Sequence, residues 1–435
     1  MTTSHDPPPR VQLPDDFFRR AYEIYPSLRE AGGVHEVTFP GGGNAILITD
    51  YTLARQALGE ESLRKNPSAT TSPEVKQFAE LTLPALAMAE RLPWSDPPEH
   101  TRLRALVADA FTPRTVAALQ PRVQEIAEKL LTDLAAAADE PVDLLPAYAT
   151  PLPVQVICEI LGVPAGDHQQ FGEWVQTMLL SQSPGQERAR ASKKFAYYLM
   201  GQVSLRRQRA DLVSWTSDDP LPADLLGTLI IRCDAAVAAD PATAELPTAD
   251  RIAAADRAIA TNTTVLLAAG YETTRGLIAN SIMLLTPELR DELVADPDRI
   301  DTYVEEALRI ASPGPFATMR YTTAPLVLGQ FEIPPGRVVI VGLGAANTDP
   351  AVFDDPLHVH LGDRSGPIHL TFGLGMHYCI GARLARLEGQ VALRALLARY
   401  PDLSLAAAPA DLPMAESILT AGPRYLPVRL APARV

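Results

Sequence analysis

The chain has 435 residues, 38 basic against 52 acidic side chains for a formal net charge of −14, and only 3 cysteines. At 47% hydrophobic and 21% charged it can build a large core, which argues against extensive disorder. The acidic balance argues against broad nucleic-acid binding, no run of about 18 apolar residues offers a membrane-spanning helix, and three cysteines cannot make a disulfide framework or a closed zinc site.

The N-terminus, MTTSHDPPPR, is polar and proline-rich and lacks the apolar centre of a signal peptide, so residues 1–10 are expected to be a flexible tail and the protein cytoplasmic. Residues 34–39 and 44–49 read as two strands around Gly41-Gly42-Gly43, a hairpin turn. Helical patterning then dominates to about residue 310. Asp50 is placed to cap YTLARQALG, EHTRLRALVADAF carries an apolar stripe after Pro97 and Pro98, and RVQEIAEKLLTDLAAAA repeats the period after Pro121. Residues 205–231 suggest another helix.

The longest candidate helix runs from Thr248, a plausible N-cap, to Leu285 before Pro287, and its apolar middle predicts burial at the centre of the protein. A further helix is expected in DRIDTYVEEALRI. Beyond Ser312 the segments PLVLG, FEI and RVVIVGLG read as strands, and a final helix is expected through ARLARLEGQVALRALLARY. Length alone suggests roughly three domains. With no repeat and no linker-like stretch, however, the expectation is a single domain over residues 11–435, mainly α with a small β region (α+β).

The most informative stretch is Phe372-Gly373-Leu-Gly375-Met-His377-Tyr-Cys379-Ile-Gly381. One cysteine sits in a glycine-rich loop at the mouth of a helix, where free N–H groups and the helix dipole favour a thiolate. The glycines let backbone approach closely and leave room for something flat and large. A lone thiolate suits a single axial bond to haem iron better than zinc; the residues alone leave a buried structural cysteine as the alternative. The pattern F-x-x-G-x-x-x-C-x-G resembles the haem-binding loop of cytochromes P450, whose cysteine-ligated haem is a known case.

Other segments resemble the same family in the same order. Glu306-Ala-Leu-Arg309 is similar to its E-x-x-R signature; by itself such a pair is compatible with a surface ion pair. The resemblance implies a buried network that holds the cysteine loop, with Arg364 as its third member. Ala269-Gly270-Tyr-Glu272-Thr273-Thr274 resembles the central-helix motif above the haem. There a hydroxyl beside a carboxylate can relay the two protons that O–O cleavage requires, while Ala269 and Gly270 leave space for oxygen. The alternative is a threonine bonded back to its own helix, although a glutamate in so apolar a helix is costly without a role. Asp96-Pro-Pro-Glu-His100-Thr-Arg102-Leu-Arg104 resembles the helix that reaches a haem propionate, and Arg320 and His377 match further propionate donors. One departure is visible: the loop often written N-R-D-P in the family reads Asn347-Thr-Asp-Pro350, with an expected effect on local packing only.

The resemblance, to a soluble bacterial P450 of the actinobacterial secondary-metabolism kind, implies the P450 fold, a triangular helical haem domain. It implies haem b as cofactor, held by Cys379 as iron ligand, with His100, Arg104, Arg320, His377, Phe372, Gly373 and Gly381 around it. It implies monooxygenation: O2 and NAD(P)H-derived electrons are consumed, and one oxygen atom enters a C–H bond of a small, largely apolar substrate. Oxidative C–C or C–N coupling, epoxidation or desaturation would use the same motifs; a non-catalytic haem sensor or carrier fits less well, because no output domain is visible. No room remains for a fused reductase, so a separate ferredoxin and ferredoxin reductase are expected, meeting a basic patch of Arg102, Arg383 and Arg386. The substrate pocket is expected from Leu83, Leu86, Met88, Leu266, Ala269, Phe316, Ala317, Thr318, Ile418 and Leu419. A monomer without nucleic-acid or membrane partners is expected.

Overall fold

The structure, a computed structural model, describes residues 6–82, 92–137, 141–179, 185–208, 224–362 and 366–430. Most of it is helical, with a small β region to one side. Six strands form one sheet in the order Arg10–Gln12, Val34–Thr38, Asn44–Ile48, Val338–Val341, Arg320–Thr322, Leu63–Arg64. The expected hairpin supplies its second and third strands, with Val34 opposite Ile48 and Thr38 opposite Asn44. The N-terminal expectation holds less far than residue 10: Asp6 bridges to Phe331, and Arg10 pairs with Glu36 in the first strand. A three-stranded sheet joins Ser404–Leu405, Pro427–Arg429 and Val142–Asp143, and Leu326–Leu328 pairs with Phe331–Ile333.

Asp50 caps the helix Tyr51–Gly59 as its sequence suggests, accepting from the Leu53 N–H at 2.8 Å. Two local readings are corrected. The helix around Pro121 does not start there but runs from Pro113 to Ala137 through the proline, carried by the buried stripe Val116, Leu119, Val123, Ile126, Ala127, Leu130. The central helix spans Thr248–Met283 with Pro247, not Thr248, at the N-cap position and no side-chain cap. Of the region 205–231, the start ends the helix Gly185–Arg207, a separate helix, Leu225–Ala239, begins near its end, and residues 209–223 lie outside the described residues.

The central helix changes character along its length. From Thr248 to Gly270 it buries a stripe made of Ala255, Ile259, Asn262, Thr263, Leu266 and Leu267. From Tyr271 to Ile282 every residue is buried except Glu272 and Thr273. That second half is clamped by close approach. A Cβ on Gly276 would meet the Pro313 Cβ at 3.0 Å and the Ala421 carbonyl at 3.1 Å, and one on Gly389 of the last helix, Ala382–Arg399, would meet Leu277 at 3.0 Å. Among the described residues no helix is long and apolar enough to cross a membrane.

Candidate active site

The cysteine loop is held by a network that begins in the helix Ile300–Ile310. Glu306 and Arg309 lie one turn apart and form a two-pronged ion pair, Nε to Oε1 and Nη2 to Oε2, both 2.9 Å, with the side chains 3% and 2% exposed. The remaining donors of Arg309 go to the carbonyls of Asn347 at 3.1 Å, Pro356 at 2.5 Å and His358 at 3.0 Å, and Glu306 accepts from the His360 N–H at 3.1 Å. Asn347 passes this order on: its side chain accepts from the Leu370 N–H at 2.6 Å and donates to the Thr371 hydroxyl at 2.9 Å, just before the loop. Arg364 lies outside the described residues.

Within the loop, Gly373 and Gly375 take φ values of 72° and 75°, which side chains disfavour. The Cys379 N–H donates to the Phe372 carbonyl at 2.9 Å, closing the turn before the last helix. The sulfur is exposed although its surroundings are protein, so it opens into a recess. Burial pushes the thiol up, while the Gly381 N–H, Arg104 and Arg386 pull it back towards the thiolate.

Sequence reasoning missed the flank of this loop. Arg386 forms a two-pronged pair with Glu305 at 2.6 and 3.0 Å and stacks 4.5 Å from the Phe372 ring centre; His369 adds a contact to Glu305 at 3.1 Å. Burial would raise the Glu305 carboxyl, but the His369 and Arg386 hydrogen bonds and charges outweigh it and hold the group at about 2. Arg386 is therefore built into the loop's support rather than free on the surface. Arg102 pairs with Glu99 at 2.6 Å, and Arg383 is exposed.

On the central helix, Glu272 and Thr273 are the two openings in an otherwise buried half. Ala269 beside them is exposed, and a Cβ on Gly270 would meet nothing within 4 Å, so the helix leaves open space there. The Thr273 hydroxyl donates to the Ala269 carbonyl at 2.6 Å. Glu272 Oε1 accepts from Arg275 at 2.6 Å, and its Oε2 is buried without a partner among the described residues. Arg275, buried, also donates to the Pro423 carbonyl at 3.3 Å; the sequence reading had not included it.

A group of basic side chains gathers elsewhere in the same region. His100, 3% exposed, lies ring to ring with His377 at 4.2 Å between centres. Burial first, then Arg104 and Lys65, lower the His100 pKa; burial, Lys65, His100, Arg320 and Arg104 together push His377 down to about 2. Burial lowers Arg320 to about 10. Of the positions expected from the sequence to line a substrate pocket, Leu83, Leu86 and Met88 lie outside the described residues. Leu266 is buried on the central helix beside exposed Ala269, Ala317 packs against the sheet core, Ile418 is half-buried and Leu419 exposed. The Phe316 ring sits in an aromatic cluster with Phe17, Phe18 and Phe39 at 5.7 to 6.5 Å. Thr318 carries polar contacts, its hydroxyl accepting from Lys65 and its carbonyl from Arg320.

An accessible sulfur at a helix mouth, open space beside a small-residue turn of the central helix and buried cations short of anions fit a large, flat group carrying iron and two carboxylates. The cytochrome P450 family model matches residues 299–404. The chain is 36% identical over 420 residues to the cytochrome P450 monooxygenase PikC of Streptomyces venezuelae, covering 96% of this chain and 92% of the relative. It is also 36% identical to 6-deoxyerythronolide B hydroxylase of Saccharopolyspora erythraea, covering 96% of this chain and 97% of that one. The solved structure of the tirandamycin C-bound P450 monooxygenase TamI superposes with a TM-score of 0.78 at 34% identity, covering 97% of this chain and all of that one. The chain belongs to the cytochrome P450 family. It is a haem-dependent monooxygenase, an oxidoreductase whose haem b works with O2 and with electrons delivered by a redox partner.

Proposed function

We propose that this P450 hydroxylates a largely apolar secondary metabolite of the polyketide or macrolide type in the cytoplasm, as a monomer built on one haem domain over residues 11–435. The observation that carries the reading is the pairing of an open Cys379 sulfur with a central helix whose deeply packed half opens only at Glu272 and Thr273. Cys379 would ligate the iron, and Arg104, Arg320, His100 and His377 would face the carboxylates of the group. When bound, haem supplies the oxygen activation. The protein's share is to exclude water and hold protons: Thr273 presents a hydroxyl that could turn from the Ala269 carbonyl into the open space beside Gly270 and donate there, and Glu272 would resupply its proton. Arg275 fixes the carboxylate between turns.

The substrate class is supported by the relatives' names, among them mycinamicin IV hydroxylase/epoxidase of Micromonospora griseorubida, and by the apolar or small character of Leu266, Ala269 and Ala317. Epoxidation or bond coupling is the second reading, favoured by the same relative's double name and by a solved P450 for C–S bond formation at 29% identity. Electrons would come from a ferredoxin and its reductase. With Arg102 and Arg386 already paired to carboxylates, the docking face is proposed to centre on exposed Arg383 and to take in Arg55, which lines a groove of about 200 Å³ with exposed Ile368 and Tyr378.

A macrolide and polyketide panel screened for substrate-induced spin shift tests the substrate class, and product analysis of the hits separates hydroxylation from epoxidation. Spin shifts confined to unrelated chemistries would overturn the class. A reduced-plus-CO spectrum without the thiolate Soret position would overturn the role of Cys379.

A further inference from the structure

Lys65 is 2% exposed. A buried ammonium is costly unless it meets an anion. It follows the strand Leu63–Arg64, which runs antiparallel to Arg320–Thr322 with Arg64 opposite Tyr321; this places Lys65 beside the strand end that carries Arg320. Like charges set side by side across strands repel. Both cations also turn to the same residue: Lys65 Nζ donates to the Thr318 hydroxyl at 2.5 Å and Arg320 to the Thr318 carbonyl at 3.2 Å. Asp96 is the nearby carboxylate, but its oxygens accept from the backbone N–H groups of Lys65 and Asn66 at 3.1 to 3.2 Å. With Lys65 protonated, Lys65, Arg104 and Arg320 bring three positive charges against the one negative charge of Asp96, an excess of two; with no further anion, burial and then Arg320 hold the Lys65 pKa well below its ordinary value. A bound group with two carboxylates closes that balance.

We propose that Lys65 is a haem-propionate ligand, a third fixed cation beside Arg104 and Arg320. The assignment rests on the haem-thiolate reading. Losing one charge-assisted hydrogen bond from a buried site speeds ligand loss by about 10- to 100-fold. Haem transfer from the holoenzyme to excess apomyoglobin is the assay. Lys65→Met should lose haem about 10- to 100-fold faster than the parent, and Lys65→Arg should restore most of the retention. Lys65→Gln carries the same test should the methionine variant fail to fold. Thr318→Val separates ligation from structure, because it removes the hydroxyl partner and keeps the ammonium; it should lose haem within a few-fold of the parent. Parental retention in Lys65→Met or Lys65→Gln would overturn the proposal, and so would haem loss in Thr318→Val as fast as in the lysine variants. The parent's own reduced-plus-CO spectrum, recorded alongside, tests the haem-thiolate reading separately: a parent without the thiolate band sinks that reading whatever Lys65 does.

Discussion

Replacing Arg309 with methionine keeps most of the side-chain volume and removes five N–H donors, all in use: two to Glu306 and three to the carbonyls of Asn347, Pro356 and His358. The Glu306 carboxylate would stay buried without its cation. Breaking a buried pair from one side costs about 3–5 kcal/mol. Three carbonyls losing their donors add about 1 kcal/mol each. The expected loss is therefore about 6–8 kcal/mol, comparable with the whole stability of a typical domain at about 5–15 kcal/mol. A double variant, Glu306→Leu with Arg309→Met, removes the stranded carboxylate and should recover about 2–3 kcal/mol. Urea unfolding followed by circular dichroism, together with the fraction of chain carrying haem, reads both. A loss under about 1 kcal/mol in Arg309→Met would mean the pair behaves as a surface contact. A double variant no better than the sum of the singles would refute the stranded-charge argument.

Thr273→Ala should bind haem normally and divert electrons to hydrogen peroxide, measured as peroxide formed per NAD(P)H consumed; unchanged coupling would remove the hydroxyl from proton delivery. Gly276→Ala should destabilise by about 1–3 kcal/mol, since the new methyl meets Pro313 and the Ala421 backbone at 3.0 and 3.1 Å; an unchanged urea midpoint would show that the contact gives way. Glu388 is buried with Oε2 unpartnered among the described residues, and burial raises its carboxyl well above 4.5. The folded chain keeps a proton that the unfolded chain releases above 4.5, so stability falls as pH rises from there towards the folded value; Glu388→Gln should flatten that slope and be at least as stable near neutrality. A variant less stable than the parent at pH 7 would contradict this. Arg383→Glu should weaken ferredoxin-supported turnover and spare peroxide-driven turnover, with equal losses in both counting against the docking face.

What the sequence made legible was local. Glu306 with Arg309, Glu272 with Thr273 and the glycines around Cys379 act within a turn or loop, so spacing alone brings them together. The hairpin and the cap at Asp50 were readable for the same reason. What escaped depends on distant chain meeting in space. Nothing near Lys65 announces that it ends up beside Arg320, and nothing near Arg386 announces that Glu305, 81 residues earlier, will hold it against Phe372. Arg275 was in plain view in the motif, yet its burial against Pro423 depends on a loop 148 residues away. Nothing near Phe316 announces the three aromatic rings from the first 40 residues of the chain that pack against it.

The contrast between the two halves of the central helix has a further consequence. The half beyond Tyr271 is wedged from several directions, and almost any added atom there strikes backbone or core. The half before Gly270 buries one stripe and leaves the other faces of the helix at least partly accessible. Mutation can therefore work on one helix at two speeds. If the proposed pocket lies there, changes before Gly270 would alter what is bound at little expense to folding, while the acid and the alcohol stay beside the packed half. Selectivity and chemistry share a single element but can diverge separately, which would let a lineage try new substrates without relearning how to use oxygen.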